Sequence, residues 1–444
     1  MLLGLAMAAR VIAADAGAGA QPVPRDLLQR APPGLPASLH ARFDAGLAIF
    51  NTPFQAGATV PRRVSGLGPR YNSEACDACH NSGGRGSVPE GPEQPVQATV
   101  HARVRDPNTA SSRAYVMRLG AIPGIAADAR VRVIWFSREG RYADGEPYTL
   151  REPRLELSMP RADLMEIEAT SLRIPTSLAG LGLLQAIPQT SLCPATGHNT
   201  DGLTGRCALV RDVHGRLRMG RFGWKATQAD VESQTADALA TEMGIVTRWH
   251  APPEQMGAPA EMRDEDLAAL VFLQSTAVAP PGPQTIVPPP PGPRRGASGQ
   301  LGARDQANPG EAQPERGHEL FRAFRCDTCH RESWMTAEVS DAPWLSHRRI
   351  SPYTDLRLHD LGPGLAAAGG EGAASATEWR TAPLWGLSLT GRIGLGRTYL
   401  HDGRARDLAE AILWHSGEAQ DSRDRFAAAP AADRDVLVHF LGSL

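Results

Sequence analysis

The chain has 444 residues, which is enough for two or three domains, each with a sizeable hydrophobic core. Its 46 basic and 48 acidic side chains leave a formal net charge of −2, so the composition does not indicate a nucleic-acid partner. The 45 glycines and 37 prolines predict long irregular loops between the regular elements.

The N-terminus predicts export. Residues 1–16 read "MLLGLAMAARVIAADA", a short apolar run that ends in an A-x-A cleavage pattern and is typical of a signal peptide. The run lacks a basic first segment, and Arg10 interrupts it. No later segment has about 18 uninterrupted apolar residues, so no transmembrane segment is expected. The expected location is the periplasm.

The pentapeptide C-x-x-C-H occurs twice and predicts two covalent c-type haems. Two thiols on one helical turn can form thioethers with the two vinyl groups of a haem, and the next histidine then lies beneath the iron. A thioredoxin-like redox pair does not require that histidine. A zinc site built from all four cysteines would leave both histidines unexplained. The predicted haem-binding residues are Cys76, Cys79, His80, Cys326, Cys329 and His330.

A β-hairpin is predicted after the first of these motifs. Residues 129–157 alternate between apolar and polar side chains and contain the turn sequence "ADGEP". This segment is an insertion in the N-terminal half of the chain.

Cys193 and Cys207 bracket the sequence "PATGHNTDGLTGR". In an exported protein this pair indicates a disulfide, with two free thiols as the alternative. The enclosed segment is similar to a calcium loop of the D-x-N-x-D-G type, with Asn199 and Asp201 as candidate calcium ligands. Gly197 stands where the first acidic ligand belongs, and a disulfide could hold the loop without calcium, so both alternatives stay open.

Helical patterns surround both haem motifs, in "DVESQTADALATEM", "DEDLAALVFLQS", "RGHELFRAF" and "RDLAEAILWH". The sequence "RIPTSLAGLGLL" (173–184) is similar to "RTAPLWGLSL" (380–389), and an aromatic-glycine element follows each. We therefore predict a mainly α fold with two cytochrome c-like haem domains related by internal duplication, a β-hairpin insertion in the N-terminal half and long irregular loops.

A proline- and glycine-rich segment without periodicity, 279–315, separates the two halves and predicts a linker. The signal peptide is followed by an N-terminal haem domain with the β insertion, 17–278. A C-terminal cytochrome c-like haem domain, 316–444, follows the linker.

The last motif, "HDGRARDLAEAILWH", predicts a short helix with Asp407 in a capping box at its start. Leu408, Ile412 and His415 share its apolar face, so His415 should point into the interior. A hydrogen-bonded core histidine without a metal is the alternative.

These motifs, together with "GLGPRYNSEACDACHNSGGRG", "GRFGWKA", "YTDLRLHDLGPGLA" and "EWRTAPLWGL", resemble the bacterial di-haem oxidoreductases described as peroxidases and sometimes labelled thiol oxidoreductases. The resemblance extends from about residue 60 to the C-terminus. That family is in turn similar to the di-haem cytochrome c peroxidases and to the di-haem enzymes that mature tryptophylquinone cofactors. The thiol oxidoreductase label has no support, because haem and the disulfide account for all six cysteines.

The resemblance to the peroxidases implies that peroxide reacts at the N-terminal haem. Trp224 would then lie between the haems, and Gln234 and Glu242 would line the distal pocket as amide donor and acid–base relay. The spacing from Gln234 to Glu242 is shorter than in the peroxidases, and an ordinary polar helix surface is the alternative. The sixth position of this iron is expected to be open or water-bound, with His101 and His214 as fallback ligands.

The second haem of the peroxidases takes a methionine as its sixth ligand. At the corresponding position, fourteen residues after His401, this chain has His415, and it has no methionine after Met335. The resemblance therefore implies coordination by His330 and His415, which lowers the reduction potential relative to a histidine–methionine site. His359 is a rival ligand or a hydrogen-bonded neighbour.

The function implied is that of a periplasmic di-haem c-type peroxidase-like oxidoreductase. Electrons would enter through the C-terminal haem from a small c-type cytochrome, a cupredoxin or a quinol-linked donor. One alternative is an enzyme that oxidises or oxygenates an organic or protein substrate through high-valent iron. Another is a non-catalytic electron carrier with two six-coordinate irons. Arg380 and Arg404 are expected to pair with haem propionates, or to be solvated.

Overall fold

The computed structural model describes residues 29–56, 66–91, 94, 98–105, 111–158, 166–194, 205–280, 312–391 and 398–444. The predicted signal peptide and both candidate calcium ligands, Asn199 and Asp201, lie outside the described residues, as does most of the predicted linker. Among the helices of the described ranges, none has the length and apolar character needed to cross a membrane.

The described α-helices vary in length from one turn to four. They are α1 (Ala37–Asn51), α2 (Cys76–Cys79), α3 (Leu181–Gln185), α4 (Gln189–Leu192), α5 (Val231–Met243), α6 (Asp264–Thr276), α7 (Ala312–Ala323), α8 (Leu408–Leu413), α9 (Gln420–Ala428) and α10 (Ala431–Ser443).

The described strands form small antiparallel sheets. They are β1 (Arg70–Tyr71), β2 (Thr99–Arg105), β3 (Ser112–Met117), β4 (Gly120–Ala121), β5 (Arg130–Arg141), β6 (Pro147–Ser158), β7 (Glu166–Arg173), β8 (Leu209–Arg211), β9 (Leu217–Met219), β10 (Trp334–Met335), β11 (Arg349–Ile350), β12 (Leu358–Asp360) and β13 (Glu378–Arg380). One sheet has three strands in the order β3-β2-β7, and the others are two-stranded.

The fold is mixed rather than mainly α, so the predicted fold class is wrong. Of the described residues, 33% are helical and 21% are in strands, which form several small sheets. The β3-β2-β7 sheet accounts for part of the difference: Val100, Ala102 and Val104 alternate inward along β2 and form a β core of their own. Its register joins Thr99 to Arg173, a pairing between distant segments that helical periodicity cannot reveal.

Helices α1, α5 and α6 pack around one apolar core in the N-terminal half, to which Phe43, Leu239 and Leu270 contribute. The α1–α6 approach is close at Gly46, where a Cβ would lie 2.3 Å from the carbonyl oxygen of Ala269. Helix α5 starts and ends through local signals. The Asp230 carboxylate accepts from the backbone N–H of Ser233, and Gly244 ends the helix with φ +67°.

The predicted β-hairpin is present as β5 and β6, which pair from Arg130↔Ser158 to Arg141↔Pro147. Its tip packs on the C-terminal helices, where the Tyr142 and Phe426 rings lie 6.1 Å apart. Asp144 accepts a hydrogen bond from Arg434 at 2.9 Å. The other end of the hairpin packs on the β core, so it joins the two halves of the chain.

Helices α7 to α10 surround a second apolar core, which contains Phe321, Trp414 and Leu437. The Asp407 carboxylate accepts from the backbone N–H of Glu410 and begins α8. The helix ends at Leu413, which is shorter than its sequence pattern predicts.

Candidate haem sites and active site

Each C-x-x-C-H motif lines one of two neighbouring cavities. Residues 76–80 lie at cavity 1, which has a volume of about 540 Å³. Residues 326–330 lie at cavity 2, which has a volume of about 190 Å³. The four cysteines are free thiols, and their division between two cavities rules out one shared zinc site. Within the described ranges, no group of three or more His, Cys, Asp or Glu side chains could hold a metal ion unaided.

Both motifs adopt one tight turn of helix, which places the two thiols and the histidine on one cavity wall. The backbone N–H of His80 donates to the carbonyl oxygen of Cys76 at 2.9 Å, and that of His330 donates to Cys326 at 2.9 Å. The first turn is α2, and the second is a 3-10 helix over Cys326–Thr328.

The two motif histidines share one hydrogen-bonding arrangement. The Nδ1–H of His80 donates to the carbonyl oxygen of Thr176 at 2.9 Å, and that of His330 donates to Tyr353 at 3.0 Å. This arrangement fixes the tautomer and leaves each Nε2 lone pair available to a metal. Burial, with the nearby His415, lowers the pKa of His330 to about 4, so its imidazole is neutral.

His415 lies in cavity 2 with His330. Its Nδ1–H donates to the carbonyl oxygen of Ala411 at 2.7 Å, and its Nε2 has no hydrogen bond to a described residue. Burial lowers its pKa, so this imidazole is also neutral and able to bind iron.

His359 also lines cavity 2, but both of its ring nitrogens are occupied. Its Nε2–H donates to Asp355 at 2.9 Å, and its Nδ1–H donates to Glu418 at 2.8 Å. Although burial alone would lower the pKa of His359, these carboxylates raise it to about 12. As an imidazolium with two partners, His359 is a hydrogen-bonded neighbour of the cavity and has no lone pair for iron.

Gln234 and Glu242, both on α5, line cavity 1. The Oε1 atom of Gln234 is buried and has no hydrogen-bond partner in the described structure. The Glu242 carboxylate accepts from Nδ2 of Asn72 at 2.7 Å. Burial raises the pKa of Glu242 to about 7, so this carboxyl can hold or release a proton near neutral pH.

Asp237 lies on the same cavity wall, and no sequence motif pointed to it. Burial and the charge of Glu371 raise its pKa to about 6. Its own charge is one of the causes that raise the pKa of Glu242. Helix periodicity could have identified it, because residues 234, 237, 238, 241 and 242 all face the cavity.

The two fallback ligands lie in different places. His101 lines cavity 1, with its Nδ1 atom 3.6 Å from Glu371, which also pairs with Arg173 at 2.7 Å. His214 is 3.7 Å from Glu232 on the surface and does not line this cavity. Only His101 is close enough to the cavity to be considered as an iron ligand.

Trp224 lines both cavities, and its indole Nε1–H donates to the carbonyl oxygen of Ile174 at 2.8 Å. Arg85 and Arg380 also line both cavities. Burial lowers the pKa of each guanidinium to about 10, and both guanidinium groups donate to backbone carbonyl oxygens. The wall between the cavities therefore contains an indole, the buried guanidinium of Arg380 and the partly buried guanidinium of Arg85.

Residues 142–444 match the family described as "di-haem oxidoreductase, putative peroxidase". The chain belongs to this family. The matched range includes Trp224, Gln234, Glu242 and the second C-x-x-C-H motif, and it begins after the first one. No curated protein and no solved structure matches the chain.

A di-haem oxidoreductase needs two haem sites, and the residues of both cavities fit that requirement. Each cavity offers two free thiols and a neutral histidine with an available Nε2. The unpartnered Oε1 of Gln234 faces the space where a ligand would lie. The partly buried Arg85 and the buried Arg380 are cations suited to haem propionates. Arg380 was predicted from the sequence for that role, whereas Arg85 was not.

Three other residues that the sequence analysis named lie apart from the cavities. Arg404 donates to the Asp402 carboxylate at 2.8 Å and to the carbonyl oxygen of Gly364 at 2.7 Å, and it lines neither cavity. Cys193 and Cys207 are joined by a disulfide with a Cα–Cα distance of 6.2 Å.

The partly buried thiols of Cys76 and Cys326 do not have the properties of redox-active thiols. Burial, with the neighbouring Cys79, raises the pKa of Cys76 to about 12. Burial likewise raises the pKa of Cys326 to about 12. A thiol that stays protonated at neutral pH is a weak nucleophile, which argues against thiol–disulfide chemistry in this oxidoreductase.

Proposed function

We propose that this di-haem oxidoreductase reduces peroxide in cavity 1 with electrons that enter through cavity 2. One observation carries the proposal: Gln234 and Glu242 lie in the cavity of the first haem motif, while Trp224 lines both cavities. An acid–base group and an amide are therefore available in cavity 1, and an indole connects it to the second site.

The haems would be held covalently. Cys76 and Cys79 would form the thioethers in cavity 1, and His80 would bind the iron. The second motif would do the same in cavity 2, where His330 and His415 would both bind the iron. When bound, haem supplies the iron at which electrons are delivered to peroxide.

Glu242 and Gln234 perform the proton and hydrogen-bond chemistry. Reduction of hydrogen peroxide consumes two protons and two electrons and gives two water molecules. With a pKa of about 7, Glu242 can accept a proton from peroxide and return it to the departing oxygen. The free Oε1 of Gln234 can accept from the peroxide O–H group, and its amide N–H can donate to the oxygen that gains charge.

Electrons would come from a small donor protein, a c-type cytochrome or a cupredoxin, or from a quinol-linked donor. Trp224 offers a short aromatic path because it lines both cavities. Coordination of the second iron by two histidines would keep its potential low and favour transfer toward peroxide. The protein would act in the periplasm, where c-type haems are attached, and haem-stained periplasmic fractions would test that location.

The central experiment is peroxide turnover by the purified holoprotein with a reduced c-type cytochrome. The wild type should oxidise the cytochrome, and one ferric haem should be high-spin and shift on addition of cyanide. Glu242→Gln should lower kcat by about 100-fold because it removes the acid–base group. Glu265→Gln, an exposed carboxylate on α6, is the matched control and should retain full activity.

Two results would overturn the proposal. Two low-spin haems that bind neither cyanide nor peroxide would indicate an electron carrier. Peroxide-dependent oxidation of an organic substrate without oxidation of the cytochrome would indicate a substrate oxidase.

A further inference from the structure

Lys225 is the only lysine of the chain, and it is completely buried. Its Nζ atom donates to three backbone carbonyl oxygens: Ser375 at 3.0 Å, Ala376 at 2.8 Å and Glu378 at 2.5 Å. Three donated hydrogen bonds require an ammonium group, because a neutral amine has only two hydrogens. Burial lowers the pKa of Lys225 to about 7, but the three acceptors around Nζ fit only the charged form.

The ammonium of Lys225 lies against Trp379, 3.6 Å from the centroid of its indole ring. The imidazole of His401 stacks on the same indole, with the centroids 3.7 Å apart and an angle of 18° between the planes. The two groups must lie on opposite faces, because a stacked ring leaves no room for Nζ. Burial lowers the pKa of His401 to about 3, so this ring is not a cation. The cations at Trp379 are Lys225 and, farther away, Arg173, whose Cζ atom lies 5.5 Å from the ring centroid.

Trp379 and Trp224 are both close to the second site, since both line cavity 2. Only Trp224 also lines cavity 1. The His401 ring lies edge-on to Trp224, with the centroids 6.4 Å apart, so it contacts both indoles. The described cation–ring contacts include Trp379 and do not include Trp224.

We infer that Lys225 prevents oxidation of Trp379 and thereby directs electron transfer between the two cavities through Trp224. Removal of an electron leaves a positive charge on an indole, and a desolvated ammonium 3.6 Å away opposes that charge. An electron that leaves Trp224 for cavity 1 is replaced by one from cavity 2, so the indole returns to its starting state. The inference rests on the proposed function and adds a role for a residue outside both cavities.

The test measures which tryptophan is oxidised when peroxide is added to the holoprotein without an electron donor. The two electrons that peroxide takes up must then come from the holoprotein itself, which includes its tryptophan side chains. When a tryptophan loses an electron, its indole becomes a radical cation. The radical cation loses a proton and reacts with dissolved dioxygen to give an oxygenated tryptophan. Peptide mass mapping of the holoprotein gives the ratio of oxygenated Trp379 to oxygenated Trp224.

The wild type should be oxygenated mainly at Trp224. Lys225→Met and Lys225→Gln both remove the nearer of the two cations at Trp379 and leave Arg173 in place. Each should raise the Trp379 to Trp224 ratio by about tenfold, the factor expected for a desolvated cation–ring contact. Lys225→Arg retains a cation and should retain the wild-type ratio. Arg248→Met, which removes a cation 4.5 Å from the Trp249 ring, is the matched control and should not change the ratio.

A photochemical oxidant separates this inference from the proposed function. A ruthenium(III) sensitiser withdraws electrons from tryptophans of the same holoprotein without peroxide. With this oxidant too, the Trp379 to Trp224 ratio should be higher in Lys225→Met and Lys225→Gln than in the wild type and Lys225→Arg. An unchanged ratio in both charge-removing variants, with either oxidant, overturns the role of Lys225. Normal photo-oxidation without any peroxide-driven oxygenation overturns the proposed peroxide chemistry and leaves the Lys225 comparison intact. The glutamine variant retains an amide donor for the carbonyls if the methionine variant does not fold.

Discussion

Asp237 influences Glu242 through its charge, and this effect can be measured. Because the Asp237 carboxylate raises the pKa of Glu242, Asp237→Asn should make Glu242 easier to ionise. The pH midpoint for cyanide binding, which requires a deprotonated base in the cavity, should move to lower pH by up to about one unit. Asp264 on α6 pairs with the surface residue Arg248, and Asp264→Asn is the control. A midpoint that stays unchanged or rises would contradict the coupling.

The two histidines at the ends of the "HDGRARDLAEAILWH" motif have different predicted roles. His415 lies in cavity 2 with a free Nε2, so His415→Ala should convert the second haem from low-spin to high-spin. His401 stacks on Trp379 instead, so His401→Ala should leave that haem low-spin. Electron paramagnetic resonance of the two ferric variants measures the spin state of the second haem. A low-spin signal retained in the His415 variant would show that another residue supplies the ligand.

At the scale of elements, the β5–β6 hairpin should stabilise the C-terminal helices. The Tyr142 ring lies beneath the Arg434 guanidinium, 3.8 Å from its centroid, and packs on Phe426. Tyr142→Ala should therefore lower the free energy of unfolding by about 2 kcal/mol, because it removes half-buried aromatic surface. Urea unfolding followed by haem absorbance measures the loss.

Arg154→Ala on β6 is the control for that change. It removes a contact with the half-exposed ring of Phe136 and should cost less than about 0.5 kcal/mol. Equal losses from both substitutions would mean that the hairpin tip contributes no special stability.

Local sequence signals predicted some elements well. The period-two alternation and the Asp-Gly turn located the hairpin, and the Asp407 cap located the start of α8. The mainly α prediction was wrong because the pairing of β2 with β7 joins distant segments and includes a register shift after Arg103. A helical period cannot detect such pairing, which depends on the buried face that both strands share.

The candidate site shows the same division between local and long-range information. The C-x-x-C-H motifs and the row of cavity-facing residues on α5 follow from spacing within one segment. Arg85 and the partners of Lys225 do not, because their neighbours come from segments more than a hundred residues away. Arg404 was placed at the haems from a nearby motif, whereas its guanidinium contacts Asp402 and Gly364.

At the scale of the whole molecule, the two halves meet at an indole that both cavities share. If electrons cross there, Trp224→Phe should slow the oxidation of the prereduced second haem by peroxide several-fold, since phenylalanine is much harder to oxidise than tryptophan. Cyanide binding in cavity 1 should be retained, because Gln234 and Glu242 stay in place. Stopped-flow absorbance measures both the oxidation of the second haem and cyanide binding in one preparation.

Trp344→Phe is the matched control for this substitution. Trp344 packs on the N-terminal helical core and lines neither cavity. Its loss should change neither the rate at which peroxide oxidises the second haem nor cyanide binding. Unaltered oxidation of the second haem in the Trp224 variant would mean that electrons cross the wall elsewhere. The protection of Trp379 by Lys225 would then have no bearing on the route, although the two charge-removing variants would still report whether that protection exists.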